Sequence, residues 1–105
     1  MIYLMIGTRP EVIKASCVID ELIKRNIRFK IVRIGQHSSL FSDVQELIPR
    51  PDIFINLDNN GDLNNNITQI IDKLSLLIKE NDNIIVIGDT TTAYAASIVS
   101  FYNKA

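Results

Sequence analysis

The chain alternates between short apolar runs and longer stretches in which apolar residues recur at helical spacing. Apolar runs over 2–6 and 84–87, each followed by glycine and polar residues, predict two buried strands. The stretch 28–34 alternates polar and apolar residues as far as Val32, which predicts a strand with one face or edge partly wet. A further short strand is predicted over 52–57, at an edge of the sheet.

Helical spacing marks the segments between these strands. Apolar residues recur every three or four positions over 9–25 and, most clearly, over 63–80, and an alanine-rich pattern over 93–101 closes the chain as a helix. A short helix is predicted over 40–47, stopped by the prolines that follow it. Strands and helices in this order predict right-handed crossovers and a parallel sheet covered on both faces. The predicted fold class is therefore α/β, a Rossmann-like three-layer sandwich that occupies residues 1–105 as one domain.

The first strand runs directly into the start of a helix at Gly7-Thr8-Arg9-Pro10-Glu11. Thr8 and Glu11 have the spacing of a capping box, and Pro10 suits the first turn of a helix. Arg9 is unusual there, because a cation beside the positive end of a helix dipole is disfavoured by about 0.3–1 kcal/mol. We therefore expect an anion beside it, either the carboxylate of Glu11 or a ligand phosphate.

Polar residues also follow two other predicted strands. The strand over 84–87 leads into Gly88-Asp89-Thr90-Thr91-Thr92, whose threonines suit either helix caps or hydroxyl donors, and the strand over 28–34 leads into Gly35-Gln36-His37. Ligands of open parallel sheets bind outside the carboxyl ends of the strands. The sequence therefore predicts that three polar clusters converge at one edge of the sheet.

Together with Lys14 and the run Ser100-Phe101-Tyr102, these motifs resemble the non-hydrolysing UDP-N-acetylglucosamine 2-epimerase family. The resemblance implies a two-domain, GT-B-like epimerase with its active site in the cleft between two Rossmann-like halves. The chain would be the truncated N-terminal part of that enzyme and inactive alone. The family interconverts UDP-N-acetylglucosamine and UDP-N-acetylmannosamine without a cofactor, by elimination and re-addition of UDP.

The resemblance also implies roles for individual residues. Arg9 and Lys14 would contact the nucleotide-sugar, whose diphosphate needs cationic donors. Asp89 would be a carboxylate of the catalytic cleft that contacts substrate, first as a positioning or electrostatic group and second as an acid or base. Gln36 and His37 would help bind a second, regulatory nucleotide-sugar.

Each of these residues has a structural alternative. Arg9 could be solvated or paired with Glu11, and Lys14 could form a helical ion pair with the same carboxylate. Asp89 stands where an N-cap is favoured, and His37 could be a solvated loop residue.

Composition narrows the partners that we expect. Eleven Lys plus Arg against twelve Asp plus Glu leave a formal net charge of −1 without a basic block, so nucleic acid is not an expected partner. No run approaches the ~18 apolar residues of a membrane span, and no arrangement of ligating residues indicates a metal. We therefore expect a cytoplasmic protein without a membrane segment or metal, and the resemblance implies that it needs no cofactor. The single cysteine, Cys17, is predicted to be an inert buried thiol of the first helix.

Two other function classes remain open at this point. One is a non-catalytic module that binds nucleotide-sugars or associates, either with its own copy as a homo-oligomer or with a separate second-half chain. The other is a fragment of a hydrolysing epimerase or of a related glycosyltransferase. A dinucleotide-binding fingerprint and a P-loop are excluded, because the glycines and the Gly-Lys-Ser/Thr run that they require are absent.

Overall fold

The computed structural model describes residues 1–35, 47–57 and 62–105. Strands and helices alternate along these residues almost as the periodicity predicts. The predicted short helix over 40–47 lies almost wholly outside the described residues. In chain order the elements are β1 (Ile2–Ile6), α1 (Arg9–Lys24), β2 (Lys30–Gly35), β3 (Ile53–Asn56), α2 (Leu63–Leu77), β4 (Asn83–Val86) and α3 (Thr91–Tyr102).

The four described strands form one parallel sheet in the order β3-β2-β1-β4. The chain moves outward from β1 through β2 to β3, which confirms the prediction of an edge strand there. It then returns to the other side of β1 to form β4, so the direction of winding reverses between β1 and β4. Such a reversal is the point at which α/β sheets of this kind bind their ligands.

Alternate side chains of β1 enter two separate apolar clusters. Leu4 and Ile6 pack with the buried residues of α1, whereas Tyr3 and Met5 pack with those of α2 and α3. Because successive side chains of a strand point to opposite faces, α1 covers one face of the sheet and the other two helices cover the opposite face. The predicted three-layer α/β sandwich is therefore confirmed for the described residues.

The prediction that the second strand is partly wet is wrong. Its burial pattern is nearly continuous, and even Arg33 is only 2% exposed. The reason is that β2 lies between β1 and β3, so both of its edges are paired and both of its faces are covered. Strands in such positions are buried on both sides whatever their local polar pattern suggests.

The prediction that Cys17 is buried is also wrong, because its side chain is exposed. Helix α1 buries Val12, Ala15 and Ile19 against the sheet, and at 100° per residue position 17 falls on the opposite side of the helix. The thiol donates a hydrogen bond to the carbonyl of Lys14 at 3.2 Å.

Within the described residues, none of the helices combines the length with the apolar character that a membrane crossing requires.

Candidate functional site

A cleft of about 370 Å³ lies at the carboxyl edge of the sheet. It is lined by residues 7–9 after β1, 33–35 at the end of β2, Leu57 after β3 and 90–92 at the start of α3. The predicted convergence is therefore confirmed for Thr8 and Arg9 after β1 and for Thr90 after β4, whereas Asp89 is not among the lining residues. Gln36 and His37 lie outside the described residues, so their part of that prediction stays a prediction.

The start of α1 is organised by the carboxylate of Glu11. Thr8 occupies the N-cap with an extended backbone, and the predicted capping box is present. The backbone N–H groups of Gly7 and Thr8 donate to Glu11 Oε2 at 2.6 and 3.0 Å, and the hydroxyl of Thr90 donates to Oε1. The Glu11 residue is only 4% exposed. The Glu11 carboxylate is thus an anion at the start of this helix that accepts from amides and a hydroxyl.

Gly7 allows the two junctions to approach each other closely. A Cβ atom at this position would lie 3.0 Å from Thr92 Cβ, closer still to Thr92 Oγ1, and 3.1 Å from Glu11 Oε2. A side chain of any size would therefore displace the start of α3 or the Glu11 carboxylate. The glycine is required because Thr92 packs against it, across the point where the winding of the sheet reverses.

The start of α3 differs from the start of α1. Its N-cap residue is Thr90, whose hydroxyl donates a hydrogen bond to Glu11 and does not cap the helix. The first turn of α3 contains no acidic residue. Its first-turn amides are therefore not matched by a carboxylate of their own helix. Because helix N-termini carry partial positive charge, this side of the cleft favours an anion.

The predicted substrate-binding residues lie at different distances from the cleft. Arg9 is exposed and lines it, whereas Lys14, exposed on the second turn of α1, is not among the lining residues. The Glu11 carboxylate is occupied by amides and by the Thr90 hydroxyl, and neither ion pair found in the described part of the chain includes Arg9 or Lys14. The structural alternative of a pair with Glu11 is therefore wrong for both cations.

Asp89 immediately precedes Thr90 but does not cap α3, so the alternative reading of Asp89 as an N-cap is wrong. The helix begins one residue later than that reading requires, because Thr90 holds the N-cap position. The Asp89 side chain is exposed and makes no hydrogen bond or ion pair with any other residue that the structure describes. Its carboxylate is thus available to a ligand beside the cleft.

Arg33 is a cleft residue that the sequence reasoning missed. By strand alternation it shares the face of β2 that α1 covers, and its Nε donates to the carbonyl of Gly7 at 3.2 Å. A buried guanidinium keeps its charge, so it adds to the positive potential of the cleft. The sequence signal for it is an arginine inside the apolar run Ile31-Val32-Arg33-Ile34, although the alternating pattern of this strand predicts a partly wet face.

The described residues contain no group of three or more His, Cys, Asp or Glu side chains that could hold a metal ion. The cleft is lined by the exposed Arg9, the buried Arg33, the start of α3 and several threonine hydroxyls, and the adjacent Glu11 carboxylate already accepts internal hydrogen bonds. Such a set binds a polar, negatively charged ligand by charge-assisted hydrogen bonds.

Comparison with known proteins identifies relatives of this chain. The sequence profile of the UDP-N-acetylglucosamine 2-epimerase family matches residues 20–105. The UDP-N-acetylglucosamine 2-epimerase of Neisseria meningitidis serogroup A is 39% identical over 103 residues, which are 93% of this chain and 28% of the relative. That of Methanocaldococcus jannaschii is 33% identical over 102 residues, which are 92% of this chain and 28% of the relative.

A crystal structure of the UDP-GlcNAc 2-epimerase from Neisseria meningitidis bound to UDP-GlcNAc is similar to this fold with a TM-score of 0.82 and 34% identity. The match covers 98% of this chain and 29% of that structure. The chain thus spans a little under a third of the length of the relatives that it matches. On sequence and structure together, it belongs to the UDP-N-acetylglucosamine 2-epimerase family.

Proposed function

We propose that this chain forms one side of the nucleotide-sugar site of a non-hydrolysing UDP-N-acetylglucosamine 2-epimerase. The observation that carries the proposal is the convergence of Arg9, Arg33 and the start of α3 on one cleft at the reversal of the sheet. A nucleotide-sugar carries a diphosphate, which requires several cationic or amide donors in a partly desolvated cleft. The family relationship supports the choice of this ligand over other anions.

Arg9 is the first candidate for a diphosphate contact, because it is the exposed cation of the cleft lining. Lys14 lies one turn further along α1 and would reach a ligand only at the rim. Asp89 would face the sugar end of the ligand as a positioning or electrostatic group, with acid or base work as its second role. The effector role of Gln36 and His37 stays a prediction.

The proposed reaction interconverts UDP-N-acetylglucosamine and UDP-N-acetylmannosamine. UDP leaves the anomeric carbon as the C2 proton is removed, and it adds back with a proton delivered to the other face. The chain supplies one carboxylate and the cations that bind the departing diphosphate. Elimination leaves an unsaturated sugar, the glycal, and a second wall of the cleft must keep water away from it. Because the chain spans 28% of the length of its relatives, we propose that it does not turn over substrate alone. A cytoplasmic location stays a prediction.

The experiment is proton NMR of UDP-N-acetylglucosamine in D₂O with the purified chain. Broadening of the uridine and sugar signals without loss of the C2 proton is the expected result, and loss of that proton would overturn the proposal that the chain is inactive alone. Arg9→Ala should weaken binding by about tenfold to a hundredfold, because a hydrogen bond to a charged group contributes about 1.5–3 kcal/mol. Arg25→Ala is the matched control, since Arg25 pairs with Glu21 at the far end of α1. Equal binding by both variants would contradict the role of Arg9.

A second candidate function is supported by the outer face of β4 and α3. β4 is an outer strand of the described sheet and is only half buried, and unpaired edges recruit further strands. Tyr94, Phe101 and Tyr102 on α3 are 57%, 78% and 76% exposed. The N–H of Asn81 donates to the carbonyl of Lys104 at 3.0 Å, which holds the residues after α3 beside the start of β4. We propose that this face pairs with a second copy or with a complementary half of the enzyme.

Sedimentation of the chain over a range of concentrations tests this pairing. Self-association that weakens in Phe101→Ser but not in Leu76→Ser is the expected result, because Leu76 is equally exposed, at 80%, but lies on α2. A chain that stays monomeric at high concentration would exclude a second copy as the occupant. A hydrolysing epimerase, the remaining alternative, would release free sugar and UDP once a complementary half is added.

A further inference from the structure

The carboxylate of Glu11 joins two junctions that are far apart in the chain. Its Oε2 holds the amides of Gly7 and Thr8, which belong to the β1–α1 junction, and its Oε1 holds the hydroxyl of Thr90, which belongs to the β4–α3 junction. Glu11 and Thr90 are 79 residues apart. The carboxylate is buried, so water does not compete for these hydrogen bonds as it would at the surface.

These contacts change how an anion can bind at the start of α1. In phosphate-binding loops of α/β proteins, the amides between strand and helix face the ligand. Here the amides of Gly7 and Thr8 donate to Glu11, so an internal anion already occupies the place of a phosphate. A ligand must therefore be held by side chains that flank this junction, and the position of those side chains depends on what fixes the junction.

We propose that Glu11 is a positioning residue, which fixes the junction that carries Arg9 against the junction that carries Asp89 and Thr90. A carboxylate suits this role because it has two oxygens and no proton donor, so one oxygen can serve each junction. The contact of Gly7 with Thr92 supplies the second link between the same two segments. The effect on ligand binding rests on the proposed function, whereas the coupling between the junctions does not.

The coupling is tested without ligand, by amide hydrogen exchange in the full chain. Thr90→Val removes the hydroxyl that donates to Glu11 and keeps the shape of the side chain. We expect exchange of the Gly7 and Thr8 amides to accelerate about two- to tenfold, the equivalent of one ordinary hydrogen bond. The amide of Leu4, which lies in the core of the sheet, should keep its wild-type exchange and so exclude global destabilisation as the cause.

Two further variants serve as controls for the hydrogen-exchange experiment. Thr90→Ser retains the hydroxyl and should restore slow exchange at Gly7 and Thr8. Thr68→Val removes a threonine hydroxyl that donates to the carbonyl of Asn64 within α2, and it should leave both amides unchanged. If Thr90→Val behaves like Thr68→Val at Gly7 and Thr8, the coupling does not exist and the proposal is overturned.

The consequence for the ligand is tested by titration with UDP-N-acetylglucosamine. Glu11→Ala removes the hydrogen bonds of Glu11 to both junctions and should lower the affinity at least about threefold, in the range of couplings within one hydrogen-bond network. Glu11→Gln keeps the reach and one acceptor oxygen, so it should recover part of the loss. Unchanged affinity in Glu11→Ala, together with accelerated exchange, would overturn the positioning role. Absence of binding by the wild-type chain would instead overturn the proposed function, and the exchange arm would still decide the coupling.

Discussion

Replacement of Gly7 by alanine tests whether the two junctions pack as closely as the structure shows. The added methyl carbon would lie 3.0 Å from Thr92 Cβ and 3.1 Å from Glu11 Oε2. Neither neighbour is the free end of a flexible surface chain, because Thr92 is buried on α3 and the Glu11 carboxylate is held by amides. The methyl group must therefore move the start of α3, the carboxylate, or both.

The size of the effect follows from two opposing contributions. Forcing an extra methyl group into a closely packed site costs about 1–3 kcal/mol. Alanine also lowers the conformational entropy of the unfolded chain, which stabilises the folded state by about 0.4–1 kcal/mol where the native backbone is compatible. The midpoints of these two ranges leave a net loss of about 1.3 kcal/mol in the free energy of unfolding, or about 5–10 °C in Tm for a domain of this size.

Urea unfolding followed by circular dichroism measures this loss, and Gly88 provides the control. Gly88 has a φ of +81°, and a Cβ there would meet nothing within 4 Å. Alanine at Gly88 should therefore cost about 1–2 kcal/mol through backbone strain alone. Asparagine tolerates positive φ, so Gly88→Asn should be less harmful than Gly88→Ala.

At Gly7 the ranking should be reversed, since the larger asparagine side chain meets Thr92 and Glu11 more severely than a methyl group does. A Gly7→Ala variant as stable as the wild-type chain would refute the close approach of the two junctions. The same ranking of alanine and asparagine at both glycines would show that backbone conformation, and not packing, decides the effect at Gly7.

Two further predictions concern the helices. Leu74→Ala should destabilise the chain by about 2–5 kcal/mol, because Leu74 is completely buried between α2 and the sheet, whereas Leu76→Ala on the same helix should change the free energy of unfolding by less than about 0.5 kcal/mol. Urea midpoints compare the two, and equal losses would contradict the orientation of α2. Cys17 should react with a thiol reagent in the absence of denaturant, because its side chain is exposed on the outer side of α1; a thiol that reacts only after unfolding would contradict that placement.

Much of the fold could be predicted from local pattern. The strand at the start of the chain and the helix after it were placed to within one residue, because an apolar run, a capping box and a helical stripe all agree there. The helix predicted over 63–80 ends earlier, at Leu77, because Ile78 adopts an extended backbone as the C-cap. Apolar periodicity continues past that point, so periodicity alone does not show where the backbone leaves the helix.

The candidate site was predicted less completely. Arg9 and the threonine cluster were identified from their positions after strands, and both line the cleft. Arg33 was missed because its burial depends on β2 lying between two other strands, which no local pattern records. The exposure of Cys17 was missed for a related reason, since the helix turns that side away from the sheet.

The sequence by itself determined the types and order of the described elements and the start of α1 at its capping box. These features depend on residues that are close together in the chain, so composition and spacing are sufficient to specify them. Tertiary structure alone decided that Glu11 meets Thr90 and that Gly7 meets Thr92. Such contacts join residues about eighty positions apart, and they form only because the chain reverses its winding direction and brings β4 beside β1.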